Sequence, residues 1–139
     1  MPKLTQILSI FFLALSCFAY LGCAHQEAIP TQVMPAGASF DGRWYSDFGD
    51  VKLSQANDGK FYGTFDYQNG EIFGELRDGV LVIDWIQPGD FAVGRREVKG
   101  KGYFLMNHDG NSFTGRWGYE DSYSNGGKWE GKRAPDLPK

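Results

Sequence analysis

The sequence predicts an all-β fold, an up-and-down antiparallel meander of about eight strands closing into a small barrel, preceded by a signal helix and a tether. Three observations predict it. One short unit occurs five times: a large residue, a spacer, glycine, a spacer, a second large residue. The copies are Phe40-Asp-Gly-Arg-Trp44, Phe61-Tyr-Gly-Thr-Phe65, Ile72-Phe-Gly-Glu-Leu76, Phe113-Thr-Gly-Arg-Trp117 and Trp129-Glu-Gly-Lys-Arg133, the last ending on arginine. Side chains alternate faces along a strand, so positions one, three and five share one side and mostly polar spacers take the other. Turn signals recur at short, regular intervals, among them Asn57-Asp-Gly59, Arg77-Asp-Gly79 and His108-Asp-Gly110, and such Asx-Gly pairs supply the positive φ that tight hairpins need. No segment after the apolar amino terminus has a helical pattern.

Taken in order, residues 1–22 hold an apolar run, Leu4 to Gly22, behind Lys3, which is the pattern of a secretory signal. Residues 24–39 contain Pro30, Pro35 and Gly37 without periodicity and read as a flexible tether, with Cys23 at its head. The folded domain is expected over 40–133, with strands near 41–47, 50–56, 60–67, 71–77, 80–86, 98–107, 112–119 and 127–133 and a longer loop from Pro88 to Val98. Residues 134–139 are a tail. Closing the strands into a barrel removes the edges that an open sheet would expose. Glycines in the inward row let strands coil tightly where side chains would crowd.

Leu21-Gly22-Cys23 resembles the lipobox of bacterial lipoproteins, with Tyr20 where that family prefers an aliphatic residue. The resemblance implies cleavage before Cys23, a diacylglycerol anchor on its thiol, and acylation of the new amino terminus by a palmitate-type chain. Ala14-Leu15-Ser16-Cys17 is a second lipobox. A cleaved signal without lipid and a retained membrane span are further alternatives, although no Lys or Arg follows the run until Arg43. Both cysteines lie in this segment, so no disulfide can staple the domain, and stability must come from an aromatic-rich core. The net charge of −3 gives no nucleic-acid surface.

Gly42-Arg-Trp44 at the first strand and Arg133 in the last resemble the calycin barrels, lipocalins and avidins, in which a Gly-x-Trp opens strand one. In lipocalins a late basic residue packs across that Trp, which implies that Arg133 stacks on Trp44 and closes one barrel end. Gly42 to Gly49, Asn57-Asp-Gly59 and Gly63-Thr-Phe-Asp66 are similar to the first three avidin strands. The biotin ligands do not carry over, because Asp50 would set a carboxylate against a carbonyl oxygen and Phe65 replaces a tyrosine.

Catalytic chemistry has little to work with. His25 lies in the tether and His108 in a turn, with no nucleophile at a recognisable spacing. Asp66 and Glu75 fall on outward positions; Asp84, in the apolar run Val80 to Ile86, would need an arginine or tyrosine partner if buried. Asp47, Asp50 and Asp121 cluster in loops without calcium-loop spacing. No catalytic residue, metal or cofactor is expected. The candidate ligand-binding residues are Trp44, Phe65, Trp85, Tyr103, Trp117 and Trp129, which either line a cavity or fill it. Outward Tyr62 and Phe73 form a patch or a cross-strand pair, and Arg95, Arg96, Lys99 and Lys101 form a basic cluster around the longest loop.

The expected protein is a non-enzymatic, monomeric envelope lipoprotein, held by its amino-terminal lipid on the outer membrane facing the periplasm. Its barrel would bind a small apolar ligand or an envelope protein. The alternative is a periplasmic protease inhibitor, a family with compact eight-stranded barrels whose usual disulfide is missing here, or an assembly factor.

Overall fold

The structure, a computed structural model, describes residues 27–138. The expected signal 1–22, the anchor Cys23 and its rival Cys17 lie outside the described residues. The strands are β1 (Gly42–Ser46), β2 (Gly49–Gln55), β3 (Phe61–Phe65), β4 (Gly70–Arg77), β5 (Val80–Gln87), β6 (Val98–Met106), β7 (Ser112–Tyr119), β8 (Gly127–Lys128) and β9 (Gly131–Arg133). Each of the first seven pairs antiparallel with the next, and β9 lies between β7 and β1, so the meander closes. Asp78 and Gly79, with φ of 48° and 76°, show why an Asx-Gly pair turns the chain between β4 and β5.

The last strand departs from the expected continuous 127–133. Regular pairing is interrupted at Trp129 and Glu130, so β8 and β9 are two pieces of one strand in an eight-stranded barrel. The register against β7 is the same on both sides of the break, Arg116 opposite Lys128 before it and Phe113 opposite Gly131 after it. The Trp129 amide donates to Gly115 O at 3.0 Å, and Asp47 exchanges bonds with Glu130, accepting from its amide at 2.9 Å through the carboxylate. Trp129 stays on the inward row with Gly127 and Gly131 and is 2 % exposed.

The interior is packed over most of its length, up to the open end described below. Phe40, Trp44, Val51, Leu53, Phe61, Phe65, Ile72, Leu81, Ile83, Phe104, Met106, Phe113 and Trp129 form one buried cluster, with the Phe104 and Phe113 rings stacked at 4.2 Å. A Cβ at Gly115 would collide with Tyr103 O, and one at Gly63 with Lys52 O, so at these two positions the neighbouring strand approaches too closely for any side chain. One pentapeptide end fails to reach the core: Leu76 is exposed, because β4 outruns β3 beyond the pair Phe61–Gly74 and leaves Leu76 with β5 alone.

The stretch read as a tether is docked over 27–39. Glu27 accepts hydrogen bonds from Ser122 Oγ at 2.6 Å, Ser124 Oγ at 3.1 Å and the Tyr123 amide. The Gln32 side-chain amide brackets the Met106 backbone, donating to its carbonyl at 2.8 Å and accepting from its N–H at 2.7 Å, while Gln32 N donates to Asp78 O. Met34 and Ala38 then pack on the core, and Phe40 is fully buried. Pro and Gly composition concealed this, because one glutamine amide satisfies a strand end as a backbone would. Val80 and Val82, on the outward row of β5, are also buried, at 0 % and 6 % exposure.

Candidate functional site

The two barrel ends differ. At one, the Arg133 guanidinium lies 4.1 Å from the Trp44 ring centroid and donates to Ser39 O, Asp41 O and Gly110 O. Trp44 Nε1 donates to Phe40 O at 2.9 Å. This end is plugged by aromatic carbon and capped by one cation.

The opposite end, where the β1–β2, β3–β4, β5–β6 and β7–β8 links emerge, is open over a cavity of about 290 Å³. Its lining is Phe48, Phe65, Tyr67, Trp85, Gln87, Val98, Trp117, Tyr119 and Trp129. Strand alternation supplies most of it: Trp85 and Gln87 on β5, Val98 on β6, Trp117 and Tyr119 on β7 all share the inward row. Phe48 and Tyr67 come instead from the links. The rings meet edge to face, Phe48 with Trp129 at 4.9 Å, Phe65 with Trp129 at 5.1 Å, Trp85 with Trp117 at 5.7 Å and Trp117 with Tyr119 at 4.9 Å. Such contacts hold each ring in one orientation and leave flat carbon walls facing the opening.

Trp129 and Phe65 are the floor, and Phe104 packs 5.1 Å below Trp129. The Trp129 indole N–H is satisfied by Ser46 Oγ at 3.1 Å and that of Trp85 by Lys101 O at 3.1 Å. Trp117 Nε1 has no hydrogen-bond partner among the described residues, and its ring rests on Gly126, where a Cβ would collide with it. No charged side chain lines the cavity. A neutral apolar guest with a hydrogen-bond acceptor matches these walls; an ion would lose its water without compensation.

Of the six residues expected to bind, Phe65, Trp85, Trp117 and Trp129 come together here. Trp44 sits at the plugged end. Tyr103 faces outward, because it alternates with the inward pair Gly102 and Phe104 on β6. Phe48, Tyr67, Gln87, Val98 and Tyr119 were missed; Tyr119 lies two residues beyond Trp117 in the same row, a signal that alternation alone could have supplied.

The carboxylates singled out earlier serve structure. Asp84 is exposed on the outer face and pairs with Lys101 at 2.8 Å, so its partner is a lysine and no burial is involved. Asp50 pairs with Arg43 at 2.9 Å, Asp66 accepts from the Asp50 amide at 2.8 Å, and Glu75 pairs with Arg77. Two acids are held below the ordinary range, Asp109 chiefly by the Asn111 amide and Glu27 chiefly by the Ser122 hydroxyl. His108 is exposed in the β6–β7 turn. Tyr62 and Phe73 meet edge to face at 6.0 Å across β3 and β4.

Fold and site together define an eight-stranded antiparallel barrel, consistent with a calycin-like barrel, with one end sealed and the other open over an uncharged aromatic cup. No protein-family model, curated protein or solved structure matches this chain.

Proposed function

We propose that this is a non-catalytic binding module of the bacterial envelope, lipidated at Cys23, that takes a small, uncharged, flat apolar molecule into the mouth of its barrel. The observation that carries the ligand reading is the cup itself: about 290 Å³ walled by Trp85, Trp117, Trp129, Phe48 and Phe65, with no charge on the lining. That volume stands at the lower end of the range of about 300–1,000 Å³ found for ligand pockets, which fits a guest of one or two fused rings. Trp117 Nε1 and the Tyr67 and Tyr119 hydroxyls offer orienting polar contacts at the rim.

The docking of residues 27–39 favours this reading over a protease inhibitor, whose trunk would have to leave Gln32, Met34 and Phe40 unpaired to enter a cleft. The test is titration of the protein with an uncharged naphthylamine probe, following tryptophan emission. Saturable quenching that disappears in Trp117→Ala, with the fold intact by circular dichroism, is expected. The absence of any saturable change would overturn the ligand reading. Palmitate labelling that is lost in Cys23→Ala and kept in Cys17→Ala tests the anchor.

A further inference from the structure

The β5–β6 link carries a feature that ligand binding does not use. Phe91 is 102 % exposed and Val93 69 % exposed, at the tip of a loop on the mouth end of the barrel. The tip is built rather than slack. Asp90 and Arg95 exchange two backbone hydrogen bonds at 2.8 and 2.9 Å. Asp90 Oδ1 accepts from the Ala92 amide at 3.0 Å, and Gly94, at φ 68°, donates back to Phe91 O. A short 3-10 turn, Phe91–Val93, therefore holds two apolar side chains in water with little freedom left to lose on docking.

The surroundings point to one kind of partner. Arg95, Arg96 and Lys99 flank the tip, and among the described residues none of them forms an ion pair. Within the link itself Arg95 and Arg96 balance Asp90 and Glu97, so the tip is neutral on a chain whose net charge is −3, and Lys99 follows at the start of β6 beside Glu120 and Asp121. Tyr67 and Tyr119, half-exposed on the same rim, are of the residue type that settles at a bilayer surface. The described chain begins at Glu27, which is held by the β7–β8 link, and that link also emerges at the mouth end. Cys23 is four residues away, a reach of about 14 Å at most.

We infer that the mouth end is a membrane-contacting surface, with Phe91 and Val93 seated in the interfacial layer of a phospholipid bilayer and the Arg95 and Arg96 side chains at headgroup level. The inference rests on the reading of Cys23 as a lipid anchor and adds an orientation to it: the cup opens toward the lipid, and an apolar guest passes from bilayer to cavity without crossing water. The sealed Trp44–Arg133 end then faces away.

The test uses the full chain, purified from membranes and reconstituted in vesicles of phosphatidylethanolamine and phosphatidylglycerol. Nitroxide labels are placed at Ala92→Cys on the tip and at Asp58→Cys in the β2–β3 turn at the sealed end. Collision with oxygen against collision with a water-soluble nickel chelate reports depth. The unsubstituted chain, treated in parallel, takes up no label if the Cys23 thiol is already acylated. The expected result is no label on the unsubstituted chain and a several-fold higher oxygen-to-nickel ratio at position 92 than at position 58, abolished by Phe91→Ser with Val93→Ser. An unlabelled Cys23 with both sites in water overturns the orientation and leaves the anchor standing. If Cys23 does take label, the anchor reading fails, and the same measurement in a Cys23→Ser background decides the tip: embedded supports lipid contact, aqueous overturns it.

Discussion

The Arg133 guanidinium stacks 4.1 Å over the Trp44 ring while its nitrogens donate to the carbonyls of Ser39, Asp41 and Gly110. One side chain thus ties β9 to the segment before β1 and to the β6–β7 turn, at the place where the meander must close. The planar fork suits this work, since it can cover a ring face and still donate in several directions.

Arg133→Lys should therefore be nearly as damaging as Arg133→Ala. The alanine variant loses a partly desolvated cation–π contact and leaves carbonyls unpaired, a cost of about 2–4 kcal/mol. Lysine retains the charge but cannot bridge the same three carbonyls. Urea unfolding measures both, and a lysine variant as stable as the parent would show that the fork is not used.

Gly115→Ala tests the close approach of β6 and β7. Its Cβ would collide with Tyr103 O, and a strand pair has no flexible group there to move aside. The expected loss is about 1–3 kcal/mol. Gly94→Ala, in open space but at φ 68°, should cost no more than about 1 kcal/mol. Thermal melts of the two variants should fall in that order.

Within the cup, floor and rim should separate. Trp129→Ala removes a buried ring that Phe104, Phe65 and Phe48 pack against, and should destabilise by about 3–5 kcal/mol. Trp117→Ala, at the half-buried rim, should cost less stability and more probe affinity. Tyr103→Ala should leave probe affinity unchanged, because that ring lies outside the wall. Denaturation and fluorescence titration of the three variants report these differences.

Acid should release the docked amino-terminal segment before it unfolds the barrel. The Ser122 hydroxyl, then the Tyr123 amide, hold the Glu27 carboxyl below its ordinary value of 4.5. A depressed folded value gives docking strength that is present above pH 4.5 and is lost as pH falls through the lower folded value. Hydrogen exchange at Tyr123, whose amide donates to Glu27, should accelerate across that acid range relative to the Phe104 amide in the β-ladder. In Glu27→Gln the acid step should vanish. Equal pH profiles in parent and variant would sink this account.

The strand pattern was legible because alternation is local. The pentapeptides placed Trp44, Phe65, Phe113 and Trp129 on one face, and the Asx-Gly pairs marked most of the links. Four of the six expected binding residues shared the cup for the same reason. Tyr103 did not, because a single-residue offset on β6 exchanges wall for exterior, and only pairing with β5 and β7 sets which of Tyr103 and Phe104 turns in.

What the amino-acid order determined by itself was an all-β chain with a sided, aromatic-rich meander. Tertiary structure decided that Trp129 and Glu130 break the last strand, that the interior is packed below and hollow above, and that residues 27–39 lie on the barrel. Those outcomes depend on groups far apart in the chain: Asp47 with Glu130, Gln32 with Met106, Glu27 with Ser122. A local pattern records which face a side chain takes; it carries no record of a distant partner that satisfies a backbone group or fills a space.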